Sequence, residues 1–282
     1  MKNKLLLHIG SHKTGSTYIQ KSLNNVENKL NDIDFTYFCT TPLGIRTKES
    51  NCNSWFNIEF MGNNIKFDIE ETFYKSIINT KQQNMIISAE ELFWLNDSTS
   101  ISKFVKKLYE IFSDIKIICY LRDPKYQFDS HLSQSFRSPD SYARKFFFNN
   151  KVMQHISYSQ ISNSITYLDY NKKLNLWSHA VGENNIIAKE YNNSSFHENN
   201  IFCDFIKTLN LPKNLYSETI SNSINCSLSV NEMIINSLIF EIHNEKWLGY
   251  KSLPFINYEE TVTNEKTEKK STEIKTEIST SN

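Results

Sequence analysis

Residues 5–18 read Leu-Leu-Leu-His-Ile-Gly-Ser-His-Lys-Thr-Gly-Ser-Thr-Tyr, and no other stretch narrows the possible folds as much. A short apolar run, residues 5–9, stops at Gly10. A polar segment from Ser11 to Thr17 follows. Residues 18–23 can then be helical, with Ile19 and Leu23 on one face. Strand, glycine-bracketed loop and helix is the layout of a phosphate cradle. The amides of such a loop and of the first helical turn have no partner in the chain, so they can point at an anion. Lys13 adds a cation that can reach it. The competing account is an ordinary strand-turn-helix whose Gly, Ser and Thr residues cap a helix. The coincidence of lysine, two glycines and several hydroxyls in so short a span favours the cradle.

The loop departs from the pattern of ATP-binding loops, in which lysine and a hydroxyl residue follow the second glycine. Gly10 and Gly15 have the required spacing, but Ser16 follows Gly15 and Lys13 precedes it. Residues 8–17 instead resemble the first signature of the PAPS-dependent sulfotransferases, most closely the bacterial branch related to the carbohydrate enzymes. PAPS is 3′-phosphoadenosine 5′-phosphosulfate, and PAP is the product left after transfer. The resemblance implies a P-loop NTPase-like three-layer α/β fold with a central, mostly parallel sheet, of the sulfotransferase type. It also implies that Ser11, His12, Lys13, Thr14, Gly15, Ser16 and Thr17 wrap the 5′-phosphosulfate.

A second signal starts at Ile115. Residues 115–121 form a near-continuous hydrophobic strand that ends in Arg122-Asp123-Pro124. Asp123 suits a helix N-cap and Pro124 the first helical position. Arg122 then projects from the carboxyl end of a strand, where a guanidinium can grip phosphate in bidentate fashion. The segment is similar to the family's second signature, in which a strand-end arginine and a serine eight residues later bind the 3′-phosphate. Arg122 and Ser130 have that spacing. The segment Asn225-Cys226-Ser227-Leu228-Ser229 is similar to a late family segment near the cofactor. It makes Asn225 and Ser227 candidate contacts, while Ser229 and Glu232 form a capping box.

Transfer to an alcohol needs a proton acceptor. Residues 85–87 read as a second buried strand, and Glu90 follows its carboxyl end, the edge where open α/β sheets bind ligands. Glu90 is either the base or, with Glu91, an acidic opening to a helix that favours the positive dipole end. His12 is the other candidate base. The residues named for catalysis are therefore Lys13, Glu90 and His12. No cluster with metal-ligand spacing is present, and the chemistry implied by the resemblance needs no metal. The acceptor implied by the branch is a carbohydrate hydroxyl, on a polysaccharide, lipopolysaccharide or glycolipid precursor. A P-loop kinase acting on a small molecule or glycan is the alternative.

Composition enters as a set of bounds. Lys plus Arg and Asp plus Glu each number 31, giving zero net charge, which argues against a nucleic-acid partner. An anion site must therefore be a local concentration of charge, and Arg137, Arg144 and Lys145 form one such stretch. They attract an acidic glycan or the cofactor, or they are plain surface. The five cysteines, at 39, 52, 119, 203 and 226, form no CxxC pair and read as reduced thiols of a cytoplasmic protein. The apolar run near the amino end is too short for a signal segment or a membrane span. Residues 1–257 are expected to form one α/β domain, and residues 258–282, rich in Thr, Glu, Lys and Ser, a disordered tail.

Further strands are expected at 35–38 and 185–191. Helices are expected at 69–79, 101–112, 152–165 and 198–211, with another carrying Leu174, Trp177 and Val181 on one face. Residues 40–65 read as turn-rich. With Trp55 and Phe56 they form either a substrate-side loop or a packed excursion.

Overall fold

The apolar run near the amino end becomes a strand covered on both faces. In the computed structural model, β1 (Lys2–His8) pairs in parallel with β5 (Asn84–Ser88) on one side and β6 (Phe112–Leu121) on the other. β2 (Phe35–Phe38) adds to β5 and β7 (Ile186–Glu190) to β6, both in parallel. The order is β2-β5-β1-β6-β7, a five-stranded parallel sheet with β1 at its centre. The structure describes residues 2–47, 50–61, 64–137, 165–217 and 231–232. These belong to one compact unit, Met1–Phe240. The expected boundary at 257/258, the tail and residues 152–164 of an expected helix lie outside them.

Side chains alternate across a strand, so each central strand feeds two cores. Leu5, Leu7, Met85, Ile87, Ile115, Ile117 and Cys119 face one layer. Against them pack α3 (Thr72–Ile78), α4 (Ser98–Tyr109) and α6 (Tyr170–Val181), through Phe73, Ile77, Phe104, Leu108 and Trp177. Leu6, Ile86, Ile118 and Tyr120 face the other layer. There α1 (Ser16–Asn25), α2 (Glu27–Asp32) and α7 (Ile201–Thr208) pack through Ile19, Leu23, Leu30, Phe202 and Phe205. The three-layer α/β arrangement expected from the sequence is therefore present. Each fully buried aliphatic or aromatic side chain contributes roughly 1.5–3 kcal/mol to holding these layers together.

Three expected helices shift their ends, each for a local reason. The helix expected over 101–112 starts earlier because the Asp97 carboxylate accepts from the Ser100 amide at 2.7 Å. It stops at Tyr109, and Phe112 instead opens β6, paired to Lys2. The helix expected over 198–211 shortens to α7, because Asn200 Oδ1 caps it from the Phe202 and Cys203 amides. The helix expected from residue 69 begins at Thr72, since Ile69 belongs to a strand. That strand is β4 (Asn64–Ile69), antiparallel to β3 (Phe56–Met61). The hairpin occupies part of the stretch read as turn-rich. Trp55 and Phe56 are buried, which favours the packed excursion over an open loop there.

A polar tie joins the second layer to the sheet. Tyr120 Oη donates to Asp204 Oδ2 at 2.8 Å, and Lys189 Nζ lies 2.6 Å from the same oxygen. Burial alone would raise the Asp204 carboxyl, but Lys189, Tyr120 and the His197 amide hold it below its usual range. Among the described residues no helix is long and apolar enough to cross a membrane. Cys39, Cys52, Cys119 and Cys203 are buried single thiols.

Candidate active site

All five sheet strands end at one edge, and the loop between β1 and α1 lies there. Its first leg still rides on β6: Tyr120 N donates to Gly10 O at 2.9 Å, and Ser11 N donates to Tyr120 O at 3.0 Å. The chain then turns through two left-handed residues, Lys13 at φ 60° and Gly15 at φ 76°. The hydroxyls of this loop face inward. Ser11 Oγ donates to Tyr120 O, Thr14 Oγ1 to Ser11 O at 2.5 Å, and Ser16 Oγ to Ser11 O at 3.4 Å. Their protons hold the loop closed, so the donors left for an anion are backbone amides. Among the described residues no acceptor meets the amides of Lys13, Thr14, Gly15, Ser16 and Thr17. Consecutive free amides on a left-handed turn at a helix start form an anion-binding concavity. Thr17 is exposed at its rim.

Three cations stand near one another at this loop. Lys13 Nζ donates to Gln134 Oε1 at 3.2 Å. Burial lowers the Lys13 ammonium from its ordinary range, and the guanidinium groups of Arg137 and Arg122 lower it further. Arg122 follows β6 directly and stands 6.0 Å from the centroid of the Tyr191 ring. Tyr191 and Ile201 also crowd Gly15, where an added Cβ would meet Ile201 Cδ1 at 3.0 Å. α5 (Pro124–Ser135) starts as expected, with Asp123 accepting from the Lys125 and Tyr126 amides. It buries Ser130, one of a polar set with Gln127, His131, Ser133 and Ser135.

The carboxylates sit on the other side of β1. Glu90 and Glu91 open a 3-10 helix, Glu90–Trp94, directly after β5 and Ala89. Gln20 Nε2 donates to Glu90 Oε2 at 2.5 Å and to Ser88 Oγ at 3.2 Å. Ser88 Oγ in turn lies 2.8 Å from His8 Nδ1. Burial pushes the Glu90 carboxyl above its ordinary value, against the opposing hydrogen bonds from its own backbone, Gln20 and Asn53. Burial, reinforced by the Glu90 charge, pushes Glu91 up to about 8.

Gly10 is what lets this segment approach the loop. Its φ is +95°, and an added Cβ would lie 3.1 Å from Glu90 Cβ and 3.3 Å from Glu90 Cα. Gly10→Ala is therefore expected to cost about 1–3 kcal/mol, the scale of a strained backbone. A urea titration would read this as a lower midpoint at unchanged slope.

His12 is placed differently from Glu90. Its Nδ1 lies 2.9 Å from Tyr167 Oη, and its ring packs on Trp94 at 4.6 Å between centroids. Its Nε2 is buried and has no hydrogen-bond partner among the described residues. Burial, then the neighbouring His131, Lys173 and Lys13, keep the imidazole neutral. Lys173 Nζ donates to Phe93 O at 2.7 Å and Leu95 O at 3.1 Å, tying α6 to the end of the 3-10 helix. The structure thus brings Lys13, Arg122, Arg137 and Gln134 together, with Ser130 on the same helix as Gln134. Glu90 packs against Gly10, at the start of the loop. Asn225, Ser227, Arg144 and Lys145 lie outside the described residues.

Gln20, Gln127, His131 and Tyr167 were not legible as site residues. For Gln127 and His131 the signal was α5 itself, a helix with polar residues at the spacing where a core-facing helix would carry apolar ones, whereas Gln20 and Tyr167 carried none.

No family model matches this chain. A sulfotransferase from Alicyclobacillus acidocaldarius, known from a crystal structure, superposes with a TM-score of 0.46 and 11% identity, over 86% of this chain and 93% of that one. A protein of Archaeoglobus fulgidus described as uncharacterized is 33% identical over 127 residues, 45% of this chain. The match spans 30% of that relative's length.

Proposed function

We propose that this protein transfers a sulfuryl group from PAPS to a hydroxyl of a carbohydrate-type acceptor, a polysaccharide, lipopolysaccharide or glycolipid precursor. The observation that carries the reading is the run of amides at Lys13–Thr17 that meet no acceptor among the described residues, on a loop whose Lys13 stands close enough to Arg137 and Arg122 to feel their charge. A cradle of amides and cations suits a ligand with more than one anionic group. The position of Lys13 before Gly15, with Ser16 after it, favours a phosphosulfate over magnesium-ATP. The choice of a carbohydrate acceptor rests on the resemblance of residues 8–17 to that branch.

Bound there, PAPS supplies the sulfuryl group: its bond from sulfur to the phosphate oxygen breaks as the acceptor oxygen bonds sulfur, and PAP departs. The amides of residues 13–17 orient the 5′ end. Lys13 offsets the charge that develops on the departing phosphate oxygen. Arg122 and Ser130 hold the 3′-phosphate. Glu90 takes the acceptor's proton, and its raised affinity for a proton suits that task. Between the two candidate bases, geometry favours Glu90, because His12 spends Nδ1 on Tyr167 and buries Nε2.

Calorimetry with PAP, 5′-AMP and ATP tests the donor. PAP is expected to bind tightest. Arg122→Ala is expected to weaken PAP by about 10–100-fold, the worth of charge-assisted hydrogen bonds, while leaving 5′-AMP little changed. A preference for magnesium-ATP would move the protein to the kinases.

A further inference from the structure

Several contacts join the loop to α5, and apart from the one Lys13 makes they use groups other than those assigned to the anion. Tyr167 Oη lies 2.9 Å from His12 Nδ1 and 3.2 Å from His131 Nε2, and it accepts from the His12 amide at 3.3 Å. Gln127 Nε2 donates to the His12 carbonyl at 2.7 Å, and Lys13 Nζ donates to Gln134 Oε1. Gln127, His131 and Gln134 are spaced four and three residues apart, so they share one face of α5. That helix begins two residues past Arg122 and carries Ser130. One tyrosine hydroxyl and two glutamine amides therefore bind the cradle for one anionic group to the arm that carries Arg122 and Ser130.

We infer that Tyr167 and Gln127 are positioning residues that set the spacing between the loop and the Arg122–Ser130 arm. Through that spacing the protein selects ligands with two anionic groups at a fixed separation. The inference rests on the PAPS reading for the identity of that ligand. The physical reason is a chelate effect. A ligand with one phosphate can follow a loop that drifts. A ligand that bridges both sites gains from the second contact only while the two sites stay in register. The Tyr167 ring is buried and packs on Trp94 and His131 at 4.8 and 4.9 Å between centroids, so removal of its hydroxyl leaves the packing in place.

The test is calorimetric binding of PAP, 5′-AMP and 3′-AMP to the full chain, to Tyr167→Phe and to Gln127→Met. Both variants are expected to lose about tenfold for PAP and less than about twofold for either monophosphate. A purely structural role would weaken all three by one factor. That result, or unchanged PAP affinity in both variants, overturns the inference. Should Tyr167→Phe fail to fold, Gln127→Met makes the same discrimination. A wild-type protein that does not prefer PAP to the monophosphates overturns the donor reading itself. A selective wild type with uniformly weakened variants overturns only the role given to Tyr167 and Gln127.

Discussion

Under the proposed sulfuryl-transfer reading, Lys13→Met is expected to lower the rate by about a thousandfold, the scale of losing one preorganised donor to transition-state charge. Lys13 stands in a left-handed turn, and its ammonium donates to the neutral Gln134 side-chain oxygen. No carboxylate pairs with it among the described residues. Burial disfavours its charge, and Arg137 and Arg122 add repulsion. An incoming anion removes that repulsion, so the cation is poised for a ligand rather than for the fold. Methionine keeps the apolar stem and deletes the charge. Loss of turnover is therefore expected together with an unchanged or raised thermal midpoint. The rate is read from label transferred from PAPS to a glycan acceptor. Turnover within about tenfold of wild type would remove Lys13 from the chemistry.

With Glu90 in its proposed role as the base, Glu90→Gln is expected to lower turnover by about a hundred- to ten-thousandfold, the range for removing a general base. Glutamine keeps the shape and a hydrogen-bonding oxygen for Gln20, so PAP binding should change little. The wild-type rate should rise with pH, because the base must lose its proton. Burial places the midpoint of that limb above the carboxyl's ordinary value of 4.5. In Glu90→Gln the limb disappears. His12→Asn is the contrasting variant, expected to retain the limb, since the imidazole is committed to Tyr167. The reverse pattern would transfer the role to His12. The same carboxyls act on stability. Glu91 holds its proton in the folded state up to about 8, whereas the unfolded chain releases it near 4.5. The folded state then binds more protons, so stability falls as pH rises between those values. A urea midpoint measured across that interval checks the sign.

Some of this molecule could be read before any coordinates. The strands at residues 35–38 and 85–87 and the start of α5 at Pro124 stand where the residues predict. Each depends on local chemistry: an unbroken apolar run, or a cap followed by proline. The hairpin of β3 and β4 was also locally encoded. Phe56, Ile58 and Phe60, and then Ile65, Phe67 and Ile69, alternate with polar residues, but the surrounding turn residues obscured the period of two. Helix ends were misplaced where a single cap decided them, as Asp97 and Asn200 do.

The site divides along the same line. The sequence by itself determined the loop, with Lys13 between Gly10 and Gly15, and the strand-end Arg122, because both are short-range patterns of backbone and charge. Only the tertiary structure decided what surrounds them. Gln20 meets Glu90 across 70 residues, and Tyr167 meets His12 across 155. It also turned the hydroxyls of Ser11, Thr14 and Ser16 inward, leaving the amides outward. Contacts of that kind depend on which elements the sheet order sets side by side. That order follows from the burial of two faces of β1 at once, which no local window of residues contains.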